Sequence, residues 1–164
     1  IHMNIRLLAC LALCTVLGGC GFHLRGSNGT SANIEALTIT SGSPYGKMAR
    51  SMEKQIKIQQ IKTGTPDSWN IQIIKEKFDS NILAYDDSIY PSTYERTLEV
   101  RFSVTNAAGE TVIAPNTERV VRVMEADSDR RLAMDRQDDL LEAEMYEEMA
   151  QNLLRRIDFI ASQK

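Results

Sequence analysis

The side chains best equipped for nucleophilic or metal chemistry in this chain of 164 residues are three cysteines, Cys10, Cys14 and Cys20, and the histidine that follows them, His23. A triad needs a nucleophile, a base and an orienting group, and a structural metal site needs about four ligands. One histidine beside one cysteine satisfies neither. Paired carboxylates occur at Asp86-Asp87, at Asp127 and Asp129 and at Asp138-Asp139. They read as solvated loops and a helix start rather than an acid/base pair or a calcium site. No glycine-rich phosphate loop follows a strand pattern. The residues that could do chemistry therefore predict a protein that is not an enzyme and holds no metal.

The cysteines acquire a meaning from their neighbours. Ile1 and His2 precede Met3, the expected natural start, and read as a remnant. Arg6 supplies a charged n-region, and Leu7 to Leu17 form an apolar run. That run is shorter than the roughly 20 residues a membrane span requires, but it suits a signal peptide. It ends in Leu17-Gly18-Gly19-Cys20, which resembles the lipobox cut by lipoprotein signal peptidase. The prediction is cleavage before Cys20, which then carries a covalent N-acyl diacylglycerol and no other cofactor. Cleavage removes Cys10 and Cys14, so no intramolecular disulfide is available and the core must hold the fold alone. Three acyl chains, each methylene transferring at about 0.8 kcal/mol, make a permanent membrane anchor. Gly21 stands where an Asp would resemble an inner-membrane retention signal, so the expected location is the outer membrane, facing the periplasm.

The 19 residues removed contain one charge, Arg6, leaving 18 basic against 22 acidic residues and a formal charge of −4. Nucleic-acid modules usually carry a basic excess, and no nucleic-acid partner is expected. A local basic patch for a phosphorylated lipid stays compatible with this balance.

The elements that must position these residues follow from periodicity. Residues 20–33 read as the lipidated N-terminus and a Gly/Ser/Thr/Asn-rich tether, and 34–164 as one periplasmic domain. Ile34 to Thr40 is a strand candidate, followed by the turn Ser41 to Gly46. Met48, Met52 and Ile56 recur every four residues on a helix ending near Gln59. Trp69 to Phe78 reads as a strand whose Trp69, Ile71, Ile73, Lys75 and Lys77 share one face. Asn81 to Ser92 lacks periodicity, with Pro91 interrupting any ladder. Leu98, Val100, Phe102 and Val104 alternate with polar residues, the pattern of a sheet with one buried and one wetted face. Asn106 to Glu110 is a hairpin connection, and Thr111–Ala114 and Thr117–Met124 are strands split by Pro115-Asn116. Arg130 to Ala161 is a long helix with the stripe Leu141, Met145, Met149, Leu153 and Ile157, and Asp127, Ser128 and Asp129 are candidate caps. The helical methionines are expected in the core. The fold class is α+β: a two-layer sandwich of about four mostly antiparallel strands with two helices on one face.

The run Cys20-Gly21-Phe22-His23-Leu24-Arg25-Gly26, directly after the lipobox, resembles the mature start of the LptE (RlpB) family of lipopolysaccharide-assembly lipoproteins. Ser41 to Gly46, the alternating strand opened by Tyr94, and Leu132-Ala133 through Glu144-Met145-Tyr146 to Ile157 continue the likeness in matching order. The resemblance implies a non-enzymatic partner of LptD, the outer-membrane β-barrel that inserts lipopolysaccharide into the outer leaflet. Members of the family plug that barrel, assist its assembly and are proposed to bind lipopolysaccharide. Family basic positions fall on Met134 and near Asp87 here, neither of them basic. Arg96, Arg130, Arg131 and Arg136 stand nearby as candidate lipopolysaccharide-binding residues. The alternative is a lipid carrier or transport auxiliary, which requires a deep apolar pocket between helices and sheet.

Overall fold

The computed structural model of the chain describes residues 33–43, 46–125 and 131–163, with side chains left out for 131–135. The leader, Cys20, the tether up to residue 32, the candidate caps Asp127, Ser128 and Asp129, and Arg130 lie outside those residues.

The order of elements is β1 (Leu37–Ser41), α1 (Lys47–Ile58), β2 (Trp69–Tyr85), β3 (Pro91–Thr105), β4 (Thr111–Glu125) and α2 (Arg131–Ala161). The strands form one sheet in the order β1-β2-β3-β4. β1 runs parallel to β2, a pairing that needs a crossover, and α1 supplies it. The β2–β3 and β3–β4 pairs are antiparallel hairpins. Both helices pack on the face that carries Leu98, Val100, Phe102 and Val104, all fully buried. This is the expected two-layer α+β sandwich.

Packing holds the helices in place. Met48, Met52 and Ile56 of α1, and Met145, Met149, Leu153 and Ile157 of α2, are at most 1% exposed. Each side chain buried this way contributes about 1.5–3 kcal/mol. Exposed ion pairs are typically worth roughly 0.2–1 kcal/mol. The apolar stripes therefore decide that the helices dock, and the pairs between α2 and the sheet adjust where.

Three strand expectations change. Pro91 does not interrupt a ladder: β2 continues to Tyr85 and β3 starts at Pro91, where the missing N–H is tolerated. Pro115 does not divide β4: the strand bulges there, between Ile113 opposite Val104 and Asn116 opposite Phe102, and β4 is an edge strand with one side free of ladder bonds. The third change alters which residues face solvent. The β2–β3 register slips between Ile73 and Lys75, so Ile74 is an extra, unpaired residue. A bulge of this kind reverses the alternation beyond it. Glu76 and Phe78 take the helix-facing side, opposite Val100 and Leu98. Lys75 and Lys77 emerge on the outward face, not beside Ile71 and Ile73 as simple alternation suggested.

Candidate functional site

Glu76, turned inward by the bulge, caps α1. The helix follows Gly46, which has no side chain to bond the first free N–H groups. The Glu76 carboxylate accepts hydrogen bonds from Lys47 N at 3.0 Å and Met48 N at 2.9 Å. A strand thus supplies the capping oxygen that serine or aspartate usually gives locally, and its negative charge meets the positive end of the helix.

Between the helices lies a groove of about 320 Å³ lined by Lys47, Arg50, Glu142, Glu147 and the buried Tyr146, among others. Lys47 reaches Glu142 at 2.7 Å across it, and Lys54 pairs with Glu147 nearby. Burial, then the Glu76 and Glu142 carboxylates, push the Tyr146 phenol far above its ordinary value. It stays protonated at neutral pH and offers no base. Among the described residues no group of three or more potential metal ligands occurs. Among the same residues no helix is long and apolar enough to cross a membrane.

Arg96 lies on the helix-facing side of β3. Its side chain is only 11% exposed, and its guanidinium holds both carboxylate oxygens of Asp138 on α2 while lying 5.2 Å from the Tyr94 ring centre. Arg122 of β4, its register partner, reaches Glu148, and Glu118 of β4 accepts from Arg156 at 3.0 Å. These three pairs link α2 to β3 and β4. Arg136 is exposed, one turn inside the start of α2, at the same end of the molecule as Arg96. Arg131 opens α2 and its side chain is not described. The fold thus brings Arg96 under α2 and leaves Arg136 open to solvent.

The same end carries a feature that composition alone did not reveal. The β2–β3 hairpin at this end and the β3–β4 hairpin at the opposite end of β3 close with one hydrogen-bond scheme. Asp86 N donates to Tyr90 O at 2.8 Å and Ile89 N to Asp86 O at 3.0 Å. Asn106 N donates to Glu110 O, and Gly109 N to Asn106 O, both at 2.9 Å. In each, the first residue's side-chain oxygen accepts the last residue's N–H at 2.9 Å. The fourth residue is left-handed in both, with φ +81° at Gly109 and +64° at Ile89. A β-branched residue there is a genuine outlier. Ile89 is also 81% exposed, and Ile82, Leu83, Tyr85 and Tyr90 around it are exposed as well. The hairpin ends in a strained apolar tip.

The first described residue, Asn33, lies at the opposite end. Asn33 donates from its backbone N, at 3.0 Å, and from its side chain to Asp158, in the last turn of α2. The tip and Asn33 are therefore separated by the length of α2, whose 31 residues span about 46 Å.

A family model of lipopolysaccharide assembly, LptE, matches residues 34–157, from the residue after Asn33 to the last core residue of α2. The chain belongs to the LptE family. Among relatives of that family, the LPS-assembly lipoprotein LptE of Photorhabdus laumondii is 30% identical over 159 residues, covering 95% of this chain and 86% of its own. The same protein of Pectobacterium atrosepticum is 25% identical over 160 residues, covering 95% and 85%. Two solved structures share the LptE-family fold seen here. Lipoprotein B of Nitrosomonas europaea has a TM-score of 0.68 at 22% identity, over 87% of this chain and 93% of that one. The rare lipoprotein B of Shewanella oneidensis has a TM-score of 0.64 at 21% identity, over 74% and 92%.

Proposed function

We propose that this LptE-family chain is an outer-membrane lipoprotein, anchored through Cys20 and facing the periplasm, that partners and plugs the LptD β-barrel. In that role it assists barrel assembly and the insertion of lipopolysaccharide into the outer leaflet, and does no catalysis. The observation that carries the reading is the family match over residues 34–157. The geometry is of the required kind. The sheet's outward face is polar along most of its length, from Thr38, Asn70 and Thr105 to Lys77, Glu99 and Arg119. A porin-type barrel interior is polar too, so a plug must meet it with hydrogen-bonding groups.

Binding of lipopolysaccharide by Arg96, Arg130, Arg131 and Arg136 belongs to the same proposal. Arg136 is the described member best exposed for charge-assisted bonds to phosphate. Arg96 would have to leave Asp138 to join it. A lipid-carrier role needs a largely apolar, enclosing cavity. The groove between the helices is instead lined mainly by charged side chains and crossed by an ion pair, which favours the plug.

The test is recovery of the full-length lipoprotein from outer membranes under mild detergent. A large β-barrel is expected at one copy per copy of the lipoprotein, and its consistent absence would overturn the reading.

A further inference from the structure

The outward face of the sheet carries a charge arrangement that the fold does not need. Beyond the Ile74 bulge, Lys75 lies directly opposite Arg101, whose partner on β4 is Thr117. The next outward row is Lys77, Glu99 and Arg119. In that row the cations are satisfied: Arg119 pairs with Glu99, and Lys77 pairs with Asp79. Lys75 and Arg101 are both exposed, and the side chain of neither has an ion-pair partner among the described residues.

Like charges directly opposed across a strand pair destabilise it. The chain has 22 acidic residues against 19 basic ones, so carboxylates are plentiful, yet none among the described residues neutralises this pair. Bulges commonly re-aim a side chain where function needs it, and this one turns Lys75 outward. Local conflict of this kind, in a sheet otherwise consistent with its sequence, marks a functional position.

We propose that Lys75 and Arg101 form a phosphate-binding site on the outward face of the sheet. Opposed residues of an antiparallel pair start about 4.5–5.5 Å apart at Cα. A compact dianion between them would take an ammonium from one side and a planar guanidinium fork from the other, the pairing arginine makes best with phosphate. The Thr117 hydroxyl beside Arg101 adds a neutral donor. Lys77 and Arg119 reinforce the potential one row on, each partly neutralised by its own carboxylate. A small phosphate suits this better than an acidic protein face, because the uncompensated charge is confined to one cross-strand pair. The site lies on the opposite face of β3 from Arg96, within the face offered above to the barrel, and it is tested in the free lipoprotein, where that face is open.

The experiment uses the full-length lipoprotein in neutral detergent micelles at matched ionic strength. Three probes are titrated: phosphatidic acid in the micelle, inorganic phosphate, and diacylglycerol as the phosphate-free control. Variants are K75E and the doubly neutral K75Q/R101Q. Binding of phosphatidic acid with a fall of tenfold or more in both variants is the expected result. A matching response to inorganic phosphate would assign the site to free phosphate as well, and its absence to a lipid headgroup. K75E also creates a cross-strand ion pair with Arg101, so its melting temperature is expected to equal or exceed that of the wild type while binding is lost. Unchanged affinity in both variants overturns the site. So does loss of an acidic protein partner by K75E without any phosphate response. Failure to recover a barrel would instead overturn the transport reading and leave these titrations standing.

Discussion

Ile89 and Gly109 occupy one position in two hairpins closed by the same bonds, and only one of the two residues suits it. The left-handed conformation costs an ordinary residue about 1–2 kcal/mol, and exposure of 81% leaves Ile89 little packing to offset that. Asparagine tolerates this conformation without adding the backbone entropy of glycine. Ile89→Asn is therefore expected to stabilise the protein by about 0.5–1 kcal/mol, read as a higher urea midpoint. Gly109→Ala is expected to move the midpoint the other way. If Ile89→Asn lowers the midpoint, Ile89 is packed rather than strained. A residue kept in a costly conformation at an apolar tip is a candidate contact. The same Ile89→Asn variant is accordingly expected to recover less of the proposed barrel partner from membranes while being the more stable protein. Arg96 shows the converse: basic and close to the tip in sequence, it is committed by the fold to Asp138.

At the scale of elements, the legible parts were those whose pattern is long and local. The i, i+4 stripe from Leu141 to Ile157 and the alternation from Leu98 to Val104 each name a buried face without reference to anything distant. The extent of β2 was not legible, because Asn81 to Tyr85 is held by its pairing with β3 rather than by any periodicity of its own. The bulge was hidden for a related reason. Ile71, Ile73, Lys75 and Lys77 form an unbroken period of two, and only the fit of Phe78 opposite Leu98 and the capping of α1 by Glu76 require the extra residue. The Glu76 cap was invisible for its own reason, since it joins positions 29 and 28 residues apart. These requirements make a sharp test. Deleting Ile74 removes only the unpaired residue and leaves Lys75 opposite Arg101 and Glu76 opposite Val100. Deleting Lys77 instead forces either Phe78 outward and Asp79 inward or, if the bulge straightens, Lys75 inward and Glu76 outward. Burying an unpaired carboxylate or ammonium group costs several kcal/mol, comparable with the whole stability of a domain at about 5–15 kcal/mol. Deletion of Lys77 is expected to abolish cooperative unfolding, while deletion of Ile74 and Ile74→Ala, both of which keep the register, are expected to retain it.

The whole molecule has two chemically different ends. The first described residue, Asn33, bonds to Asp158 at one end, and the apolar tip lies at the far end of α2. The anchor proposed on Cys20 lies 13 residues before Asn33, and the core of the described residues begins at Ile34. Stability and membrane attachment should therefore separate. A single acyl chain binds only marginally, and each further buried methylene adds about 0.8 kcal/mol, so attachment by lipidated Cys20 should survive salt and carbonate washing. With the protein produced in excess of any membrane partner, Cys20→Ala is expected to leave the membrane fraction and incorporate no palmitate label. Its urea midpoint is expected to match that of the wild type. Continued labelling of Cys20→Ala would place the lipid elsewhere. A lowered midpoint would mean that residues before Asn33 take part in the core, against the independence of anchor and fold argued from the Asn33–Asp158 contact.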